Sequence, residues 1–433
     1  MSLNQEQQLA LEYAKQGKSF FLTGPGGSGK SYVLARIREE LESQKRRVAL
    51  TAMTGCAALL LGNKAKTLHS WAGVGLAKEP AIILIQKIRN YAKALRRWLA
   101  TDTLIVDEVS MMSPEFLEKL STIAQAVRRD GRTMGGLQVI FVGDFFQLPP
   151  VNKESRNGVP TQFVFESSMW EQVVPHKVEL KKIERQRDPV FHKILEEARH
   201  GALSKESLKI LKTRQNLDWK SLEIKPTLLF SRKAEVDFVN ESNLKALQGE
   251  RRTYNAKTVL LPIVRTRGLD QNSEEVKFAI QRLDRDAPYM PELILAKGAQ
   301  VMLLINMDFE LELVNGSRGV VVGFTEDELH LPIVKFRSGE PIPIGPFAWE
   351  SDDIEGLERQ QIPLRLAYAL TIHKAQGATL DCALIDIGTS TFECGQAYVA
   401  LSRVRSLDSL YIWDLEQSAF KTHDKVISFY KNA

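Results

Sequence analysis

The stretch Phe20–Ser43, FFLTGPGGSGKSYVLARIREELES, decides the fold. A short apolar run enters a glycine-rich turn, and a segment with helical spacing follows it. Within it, GPGGSGKS at Gly24–Ser31 matches G-x-x-x-x-G-K-[ST] in the strand-then-helix context that this pattern requires. Backbone N–H groups of such a turn curl around phosphates, and the helix N-terminus adds positive potential. The stretch therefore predicts a P-loop that binds a nucleoside triphosphate.

The residues of this turn have distinct expected roles. Lys30 is expected to neutralise the β- and γ-phosphates, and the Ser31 hydroxyl is expected to ligate magnesium. The alternative is a plain glycine-rich turn, which the flanking strand and helix disfavour. The remaining phosphate-binding candidates carry small side chains or none, and they are Gly24, Gly26, Gly27, Ser28 and Gly29.

Strands and helices alternate through the first half of the chain. RRVALTA, TDTLIVDE and LQVIFVGD are apolar runs of strand length. Between the last two lies SPEFLEKLSTIAQAVRR, a predicted helix with Ser113 as its N-cap. This alternation predicts an α/β fold with a parallel sheet, whose ligands bind at the carboxyl ends of the strands.

Polar residues follow two of these strands. Asp107 and Glu108 end the run LIVDE. After a P-loop, we expect Asp107 to hold the metal ion and Glu108 to act as the base for the attacking water. Gln147, in VGDFFQLPP, is placed to sense the γ-phosphate or to orient water. The alternatives are a solvated strand end and an ordinary polar loop residue.

The second half of the chain has a different pattern of predicted strands and helices. Strands PTLLFS and CALIDI belong to another α/β unit, and AEVDFVNESNLKAL is a predicted helix. Residues 249–363 contain short β segments separated by turn residues, which predict a small inserted β-barrel. We therefore expect a first domain at 1–175, with an insertion at about 75–99, and a second domain formed by 176–248 and 364–433.

Composition restricts the class of protein. The chain has 433 residues, 26% of them charged, and a net charge of +5, which is compatible with a polyanionic partner. Its three cysteines are widely spaced and form no C-x-x-C pair, so we expect reduced thiols and no metal site on cysteine. No apolar run reaches about 18 residues, which argues against a membrane span. The opening SLNQEQQLALEYA does not resemble a targeting leader.

Short motifs occur in a telling order: LNQEQQ, GPGGSGKS, TAMTGCAA, TLHSWAG, VDEVSMM, VGDFFQLPPV, VNGSRG, HKAQGATLD and AYVALSRVRS. Together they resemble the Pif (petite integration frequency) family of superfamily-one DNA helicases and, more distantly, RecD-like helicases. The resemblance extends from Leu3 to about Trp413. It implies two RecA-like P-loop domains with parallel sheets, a small insertion in the first and an SH3-like β-barrel in the second.

The resemblance also implies a function. The chain is expected to be an ATP-dependent helicase that uses Mg²⁺ and moves 5′-to-3′ along single-stranded DNA. Expected partners are single-stranded DNA, single-strand/duplex junctions and G-quadruplex DNA, with the chain acting as a monomer and without a membrane. Expected roles are replication, repair, recombination or telomere maintenance, in the cytoplasm of a bacterium or in the nucleus or mitochondrion of a eukaryote. Alternatives are a translocase that remodels protein–DNA complexes without unwinding, an inactive scaffold and a small-molecule kinase.

The resemblance assigns further nucleotide contacts. Gln7 would read the adenine edge, because a side-chain amide both donates and accepts. Gly377 in HKAQG would be another contact. Arg403 in ALSRVRS would be the arginine finger from the second half, and Arg185 in IERQ would also face the nucleotide. Glu184 departs from the family pattern, which more often has an aromatic residue there.

The expected DNA track combines hydroxyl and basic groups from both halves. Trp71 is predicted to lie in the core rather than to stack on bases. The basic segment KIRNYAKALRRW is either an amphipathic helix with a solvated face or a wedge at the duplex junction. The predicted DNA contacts are Thr51, Thr54, His69, Ser70, Asn315, Thr371, His373 and Lys374.

Overall fold

The chain forms two compact units, one of which contains the P-loop. The first comprises Met1–Arg214, Ile387–Asp408 and Asp414–Ala433, and the second comprises Gln215–Asp386 and Ser409–Trp413. None of the helices in the described part of the chain combines the length and apolar character that crossing a bilayer requires. The structure is a computed structural model that describes residues 3–432 except 63–64, 151–160, 187, 223–224, 309–310, 312, 337–338 and 352, and except the side chains of residues 59 and 286.

A parallel sheet forms the centre of the first unit. Its strand order is β3-β2-β4-β5-β1-β6, and each neighbouring pair is parallel. This confirms the predicted parallel α/β architecture around the P-loop. Because β5 lies between β4 and β1, the residues that follow these three strands meet at one edge. The strands are β1 (Phe20–Thr23), β2 (Val48–Ala52), β3 (Lys66–Thr67), β4 (Thr103–Asp107), β5 (Gln138–Val142) and β6 (His176–Glu179).

Helices cover this sheet, so its central strands are buried and read as continuous apolar runs. Leu22, Ile105 and Ile140 form one core with Val33 and Ile37 of the helix that follows the P-loop. The helices of this part are α1 (Gln5–Lys15), α2 (Lys30–Ser43), α3 (Gly55–Leu60), α4 (Leu68–Ala72), α5 (Ala81–Asn90), α6 (Ala92–Ala100), α7 (Pro114–Arg128), α8 (Trp170–Val173), α9 (Pro189–Arg199) and α10 (Lys205–Lys212).

Local signals in the sequence set several helix boundaries. The predicted N-cap of α7 is confirmed, since the Phe116 N–H donates to Ser113 Oγ at 3.2 Å. The basic segment before β4 forms two helices rather than one, because Tyr91 has an extended backbone between α5 and α6. Trp71 is 4% exposed, and its ring lies 4.6 Å from that of Trp98. The prediction that Trp71 belongs to the core is confirmed.

The second unit combines a parallel sheet with antiparallel sheets. Strand β7 pairs in parallel with both β18 and β19. The elements are β7 (Thr227–Phe230), α11 (Lys233–Ala246), β8 (Arg251–Asn255), β9 (Lys257–Leu260), α12 (Pro262–Thr266), α13 (Glu274–Asp286), β10 (Glu292–Ala296), β11 (Gln300–Leu303), β12 (Arg318–Phe324), β13 (Pro332–Phe336), β14 (Ile342–Pro343), β15 (Phe347–Glu350), β16 (Leu357–Gln361), β17 (Leu364–Leu366), β18 (Ala369–Thr371), α14 (Ile372–Ala375), β19 (Ala383–Ile387) and β20 (Leu410–Leu415).

The region predicted to be β-rich contains the sheets β14-β13-β12-β11-β17, β15-β16-β9 and β10-β8. Leu295, Val301, Val321 and Leu364 form its core. No helix was predicted from the sequence in this region, yet α13 is present and buries Val276 beside α12. Its apolar residues recur at helical spacing inside a segment whose surroundings favour strands.

The last helices of the chain, α15 (Gln396–Leu401) and α16 (Asp424–Asn432), belong to the first unit. In α16 the Phe429 ring stacks on Phe165 at 4.4 Å and meets the edge of Phe145 at 5.4 Å. The two units therefore differ from the predicted domain boundaries. Strand β6 also extends the first sheet beyond residue 175, because Leu22 pairs with Val178.

Candidate active site

The P-loop has a backbone that glycine alone adopts easily. Gly24, Gly27 and Gly29 have φ values of 145°, 86° and 88°. A Cβ at Gly24 would lie 2.5 Å from the Leu180 carbonyl oxygen, and one at Gly27 would lie 2.7 Å from Arg185 Cβ. Sterics therefore fix these glycines, whose backbone lets the turn curl in the way that anion-binding turns do.

Lys30 opens α2 and bends back over the turn. Its Nζ donates to the carbonyl oxygens of Gly24 at 2.7 Å and Pro25 at 3.0 Å. Burial lowers the pKa of Lys30, against the field of Asp144 and then Glu108. Ser31 follows on the exposed side of α2. The ammonium group is thus held at the start of the P-loop, and its contact with nucleotide phosphates stays a prediction.

Asp107 is the last residue of β4, and Glu108 follows it. Asp107 Oδ1 accepts from the Glu108 backbone N–H at 2.8 Å. Glu108 is 9% exposed and has the left-handed backbone φ 55°, ψ 41°, a strained conformation that proteins retain mainly at functional sites. Burial, and then the charge of Glu108, raise the pKa of Asp107 to about 7. The predicted metal ligand and the predicted base are therefore side by side.

The two predicted arginines also meet at this site. Arg185 Nη1 donates to the Ser402 carbonyl oxygen at 3.1 Å. Arg403 is 2% exposed, and its Nε donates to the Val399 carbonyl oxygen at 2.7 Å. Burial lowers the pKa of Arg403 to about 10; nearby Arg185 adds to this effect, and Glu108 opposes it. The negative charge of Glu108 acts on both guanidinium groups, since it raises the pKa of each.

A buried charge pair supports the loop after β5. Asp144 is 0% exposed and accepts two hydrogen bonds of 3.0 Å from Arg199. The Gln147 N–H donates to the Asp144 carbonyl oxygen at 2.9 Å, which fixes the loop that carries this predicted γ-phosphate contact. The sequence reading missed Arg199. A buried acid needs a cation, but 58 basic residues give no indication of which one supplies it.

Tyr398 was also missed. Its hydroxyl oxygen accepts from the Gly26 N–H at 2.7 Å, and its proton is donated to Asp144 Oδ2 at 3.3 Å. The tyrosine lies in the motif AYVALSRVRS, so its position in that motif was the available signal.

Gln7 lies beside the P-loop. Its side-chain Oε1 accepts from the Asn4 N–H at 3.1 Å, and its own N–H donates to Asn4 Oδ1 at 2.8 Å, which closes a capping box on α1. A Cβ built at Gly29 would lie 3.3 Å from Gln7 Nε2. The amide nitrogen therefore faces the turn, and adenine recognition by Gln7 stays a prediction.

The DNA contacts predicted in the first unit have different environments. Thr51 is 0% exposed, and its hydroxyl donates to the Ile105 carbonyl oxygen at 2.7 Å, which joins β2 to β4; its contact with DNA stays a prediction. Thr54 Oγ1 accepts from the Ala57 N–H at the start of α3. His69 stacks on Phe116 at 4.3 Å. The Ser70 carbonyl oxygen accepts from Arg97.

Those predicted in the second unit cluster around α14 and the turn before β12. Thr371 Oγ1 caps α14 by accepting from the Lys374 N–H at 3.2 Å. Burial lowers the pKa of His373, whereas Lys374 is exposed. The Asn315 N–H donates to Asn306 Oδ1 at 2.9 Å. Gly377, predicted to contact the nucleotide, lies in the second unit with φ 80°.

Two family models match this sequence. The PIF1-like helicase model matches residues 2–208, and the model of the DNA helicase Pif1 2B domain matches residues 281–324. The second match falls in the β-rich region of the second unit. The models therefore cover the P-loop sheet and part of that insertion.

Relatives extend this likeness over the whole chain. The ATP-dependent DNA helicase PIF1 of Danio rerio is 38% identical over 99% of this chain, which spans 64% of that relative's length. The crystal structure of Pif1 helicase from Candida albicans has a TM-score of 0.83 at 35% identity and covers 100% of this chain and 99% of its own. Pif1 from Bacteroides in complex with ADP-AlF3 and ssDNA has a TM-score of 0.70 at 27% identity, with 100% and 97% covered. This chain therefore belongs to the Pif1-like helicase family.

Proposed function

We propose that this chain is an ATP-dependent DNA helicase that moves 5′-to-3′ along single-stranded DNA. One observation carries the proposal: the P-loop contacts both segments that bear the arginines, since a Cβ on Gly27 would lie 2.7 Å from Arg185 Cβ and the Gly26 N–H donates to Tyr398 on the segment of Arg403. A P-loop lysine, a base and two arginines around one place form a complete set for hydrolysis of a γ-phosphoryl group. An inactive scaffold would not need to keep such a set together.

The chemistry assigned to these groups is phosphoryl transfer to water. The water oxygen bonds to the γ-phosphorus, the bond to the β–γ bridging oxygen breaks, and Glu108 takes the water proton. Lys30 and the N–H groups of the turn bind the phosphates. Arg185 and Arg403 stabilise the charge that develops on the transferred group, and Gln147 orients the water.

Magnesium is part of this proposal. Asp107 and Ser31 offer a carboxylate and a hydroxyl, the oxygen ligands that Mg²⁺ accepts together with substrate phosphates. The adjacent acids Asp107, which is half-buried, and Glu108, which is buried, leave negative charge that a divalent cation would offset. When bound, Mg²⁺ would neutralise charge on the β- and γ-phosphates. The residues present therefore fit this ion.

The nucleic-acid partner follows from the family. We assign single-stranded DNA, its junctions with duplex and G-quadruplex DNA as substrates, with the chain acting as a monomer. The structure of the Bacteroides relative is a complex with ssDNA, which supports single-stranded DNA as a substrate. Exposed Lys374, with Asn315 and Thr371, supplies candidate phosphate contacts in the second unit. Residues 249–363 would act as an SH3-like clamp and residues 75–99 as a wedge, in replication, repair, recombination or telomere maintenance.

Hydrolysis can drive motion because its substrate and products contact the protein differently. A γ-phosphate reaches Arg185 and Arg403, and the products lack that bridge. A ligand shifts a conformational equilibrium only through such a difference in contacts between two states. Loss of the bridge would release the grip on DNA once in each cycle.

Duplex substrates that carry one single-stranded tail, either 5′ or 3′, test this function. We expect the chain to separate the 5′-tailed substrate but not the 3′-tailed one, and to do so only with ATP and Mg²⁺. Lys30→Ala should abolish both unwinding and ATP turnover, whereas Lys15→Ala, which removes an exposed lysine paired with Glu40, should change neither. Turnover stimulated by DNA without strand separation would instead favour the translocase, and turnover that survives Lys30→Ala would contradict the proposed site.

A further inference from the structure

The segment 395–404 contacts the loop after β5, the P-loop and the residue that follows Arg185, in that order. At its start, a Cβ on Gly395 would collide with the Phe146 carbonyl oxygen in the loop after β5. In the middle, Tyr398 contacts the P-loop. At its end, the Val404 carbonyl oxygen accepts from Gln186 Nε2 at 3.0 Å. The position of this segment therefore decides where Arg403 points.

The Tyr398 hydroxyl is the side-chain contact in the middle of this segment. The Gly26 N–H can only donate, so the hydroxyl oxygen accepts that bond and the hydroxyl proton is directed to Asp144 Oδ2. Burial, with Asp144 adding to it, raises the pKa of Tyr398, so the phenol keeps its proton at neutral pH. One hydroxyl thus joins the P-loop to the loop after β5.

Asp144 is a firm anchor for this hydroxyl. Its carboxylate accepts two bonds from Arg199 and one from the Phe146 N–H at 3.2 Å. The Arg199 guanidinium in turn lies 4.3 Å from the centre of the Phe146 ring. A group held by so many contacts cannot follow Tyr398 if the tyrosine moves, so the hydroxyl bond fixes the helix to the loop.

Movement at Tyr398 would be transmitted to the arginine finger. The Ser402 N–H donates to the Tyr398 carbonyl oxygen at 3.0 Å, and Arg403 Nε donates to the Val399 carbonyl oxygen. Helix α15 has six residues, so little else in it can absorb a shift. We propose that Tyr398 is a positioning residue for ATP hydrolysis, whose hydroxyl sets the distance between the Arg403 segment and the P-loop. This inference rests on the proposed ATPase function.

Tyr398→Phe tests the inference because it removes one oxygen and keeps the ring. We expect kcat for DNA-stimulated ATP hydrolysis to fall about 10-fold or more, since misplacing a transition-state contact by a small distance costs that much. KM for ATP should change less than about 2-fold, because the P-loop contacts remain. Tyr430→Phe is the matched control: its hydroxyl shares a hydrogen bond with Thr23 Oγ1 in the same cluster but does not contact Gly26. It should keep kcat.

A double-mutant cycle separates positioning from independent action. If Tyr398 acts through Arg403, adding Tyr398→Phe to Arg403→Ala should slow turnover no further. Multiplied effects, or equal losses in Tyr398→Phe and Tyr430→Phe, would overturn the inference. Thermal unfolding checks that each variant folds. Introducing 3-fluorotyrosine at position 398 keeps both hydrogen bonds and should retain kcat, and a loss of turnover there would count against the inference even if the phenylalanine variant failed to fold.

The wild type distinguishes this inference from the function on which it rests. A wild-type chain without ATP turnover would contradict the proposed function, and with it the positioning role. A wild type that hydrolyses ATP, with Tyr398→Phe equally fast, would leave the function standing and remove the role of Tyr398 alone.

Discussion

The Nη1 group of Arg185 donates to the carbonyl oxygen of Ser402 at 3.1 Å, so two segments more than 200 residues apart bring their arginines together. Arg403, the next residue, has its pKa lowered to about 10 by burial and by the adjacent charge of Arg185. The buried Arg403 and the half-buried Arg185 carry like charges that repel each other, and a nearby anion would offset that repulsion. A γ-phosphate between them and Lys30 would relieve that repulsion.

Arg403→Ala should leave ATP binding intact and slow hydrolysis about 10³-fold or more, because an arginine finger acts chiefly in the transition state. Arg405→Ala is the control, since Arg405 is exposed two residues further along and should be dispensable for turnover. Steady-state ATPase assays combined with binding of a fluorescent nucleotide measure both steps. Unchanged turnover in the first variant would remove Arg403 from the mechanism.

Asp144→Asn should destabilise the chain by about 3–5 kcal/mol, because it leaves the buried Arg199 without its counter-charge. The comparison change Asp130→Asn removes the half-buried partner of Arg132, but Arg132 is exposed, so no buried charge is left behind and stability should change far less. Urea unfolding reports both. Equal stability of the two variants would show that the Arg199 charge is compensated elsewhere.

Lys374→Ala should weaken binding to single-stranded DNA and reduce the salt dependence of log K by about 0.7, the amount expected for one lost phosphate contact. Lys209→Ala, which removes an exposed lysine of α10 with no proposed DNA role, should keep the wild-type slope. Fluorescence anisotropy over a range of salt concentrations gives the slopes. If the two variants behave alike, Lys374 is not on the DNA track.

His373 gives a dependence on pH. Burial lowers its pKa below the ordinary 6.5, so the folded chain keeps the ring neutral while the unfolded chain takes up a proton near that value. Its contribution to stability is therefore complete above pH 6.5 and lost as the pH falls. Acidification from pH 8 to 5.5 should cost the wild type more unfolding free energy than His373→Gln. Equal losses, measured in urea, would mean that the histidine stays accessible to protons.

Local patterns in the sequence predicted much of the pocket. The P-loop depends on glycines within eight residues and the N-cap of α7 on a serine three residues before its partner, so neighbouring letters contain the information. Tyr398 and Arg199 were missed because their bonds to Asp144 link residues 254 and 55 positions apart. No periodicity records such a pairing.

Two other differences have equally local causes. Thr51 was predicted to lie just after a strand, with its hydroxyl available to DNA; it lies within β2 instead, and its hydroxyl donates to the Ile105 carbonyl oxygen of β4. Helix α13 was missed because it interrupts a β-rich stretch, although Val276 and Ala279 mark one buried face at helical spacing. For Thr51 the bonding partner of the hydroxyl was not predicted, and for α13 the helical spacing was not recognised.

The position of α16 has a practical consequence for anyone who wishes to produce the P-loop unit alone. Phe429 packs edge-on against Phe145 and Trp170, so the terminal helix keeps the aromatic side of the central sheet dry. A fragment that stops after Arg214 would expose these aromatic side chains to solvent. It would also lack Tyr398 and Arg403. Expression designs should therefore splice the stretch from Ile387 onward back onto the amino-terminal sheet.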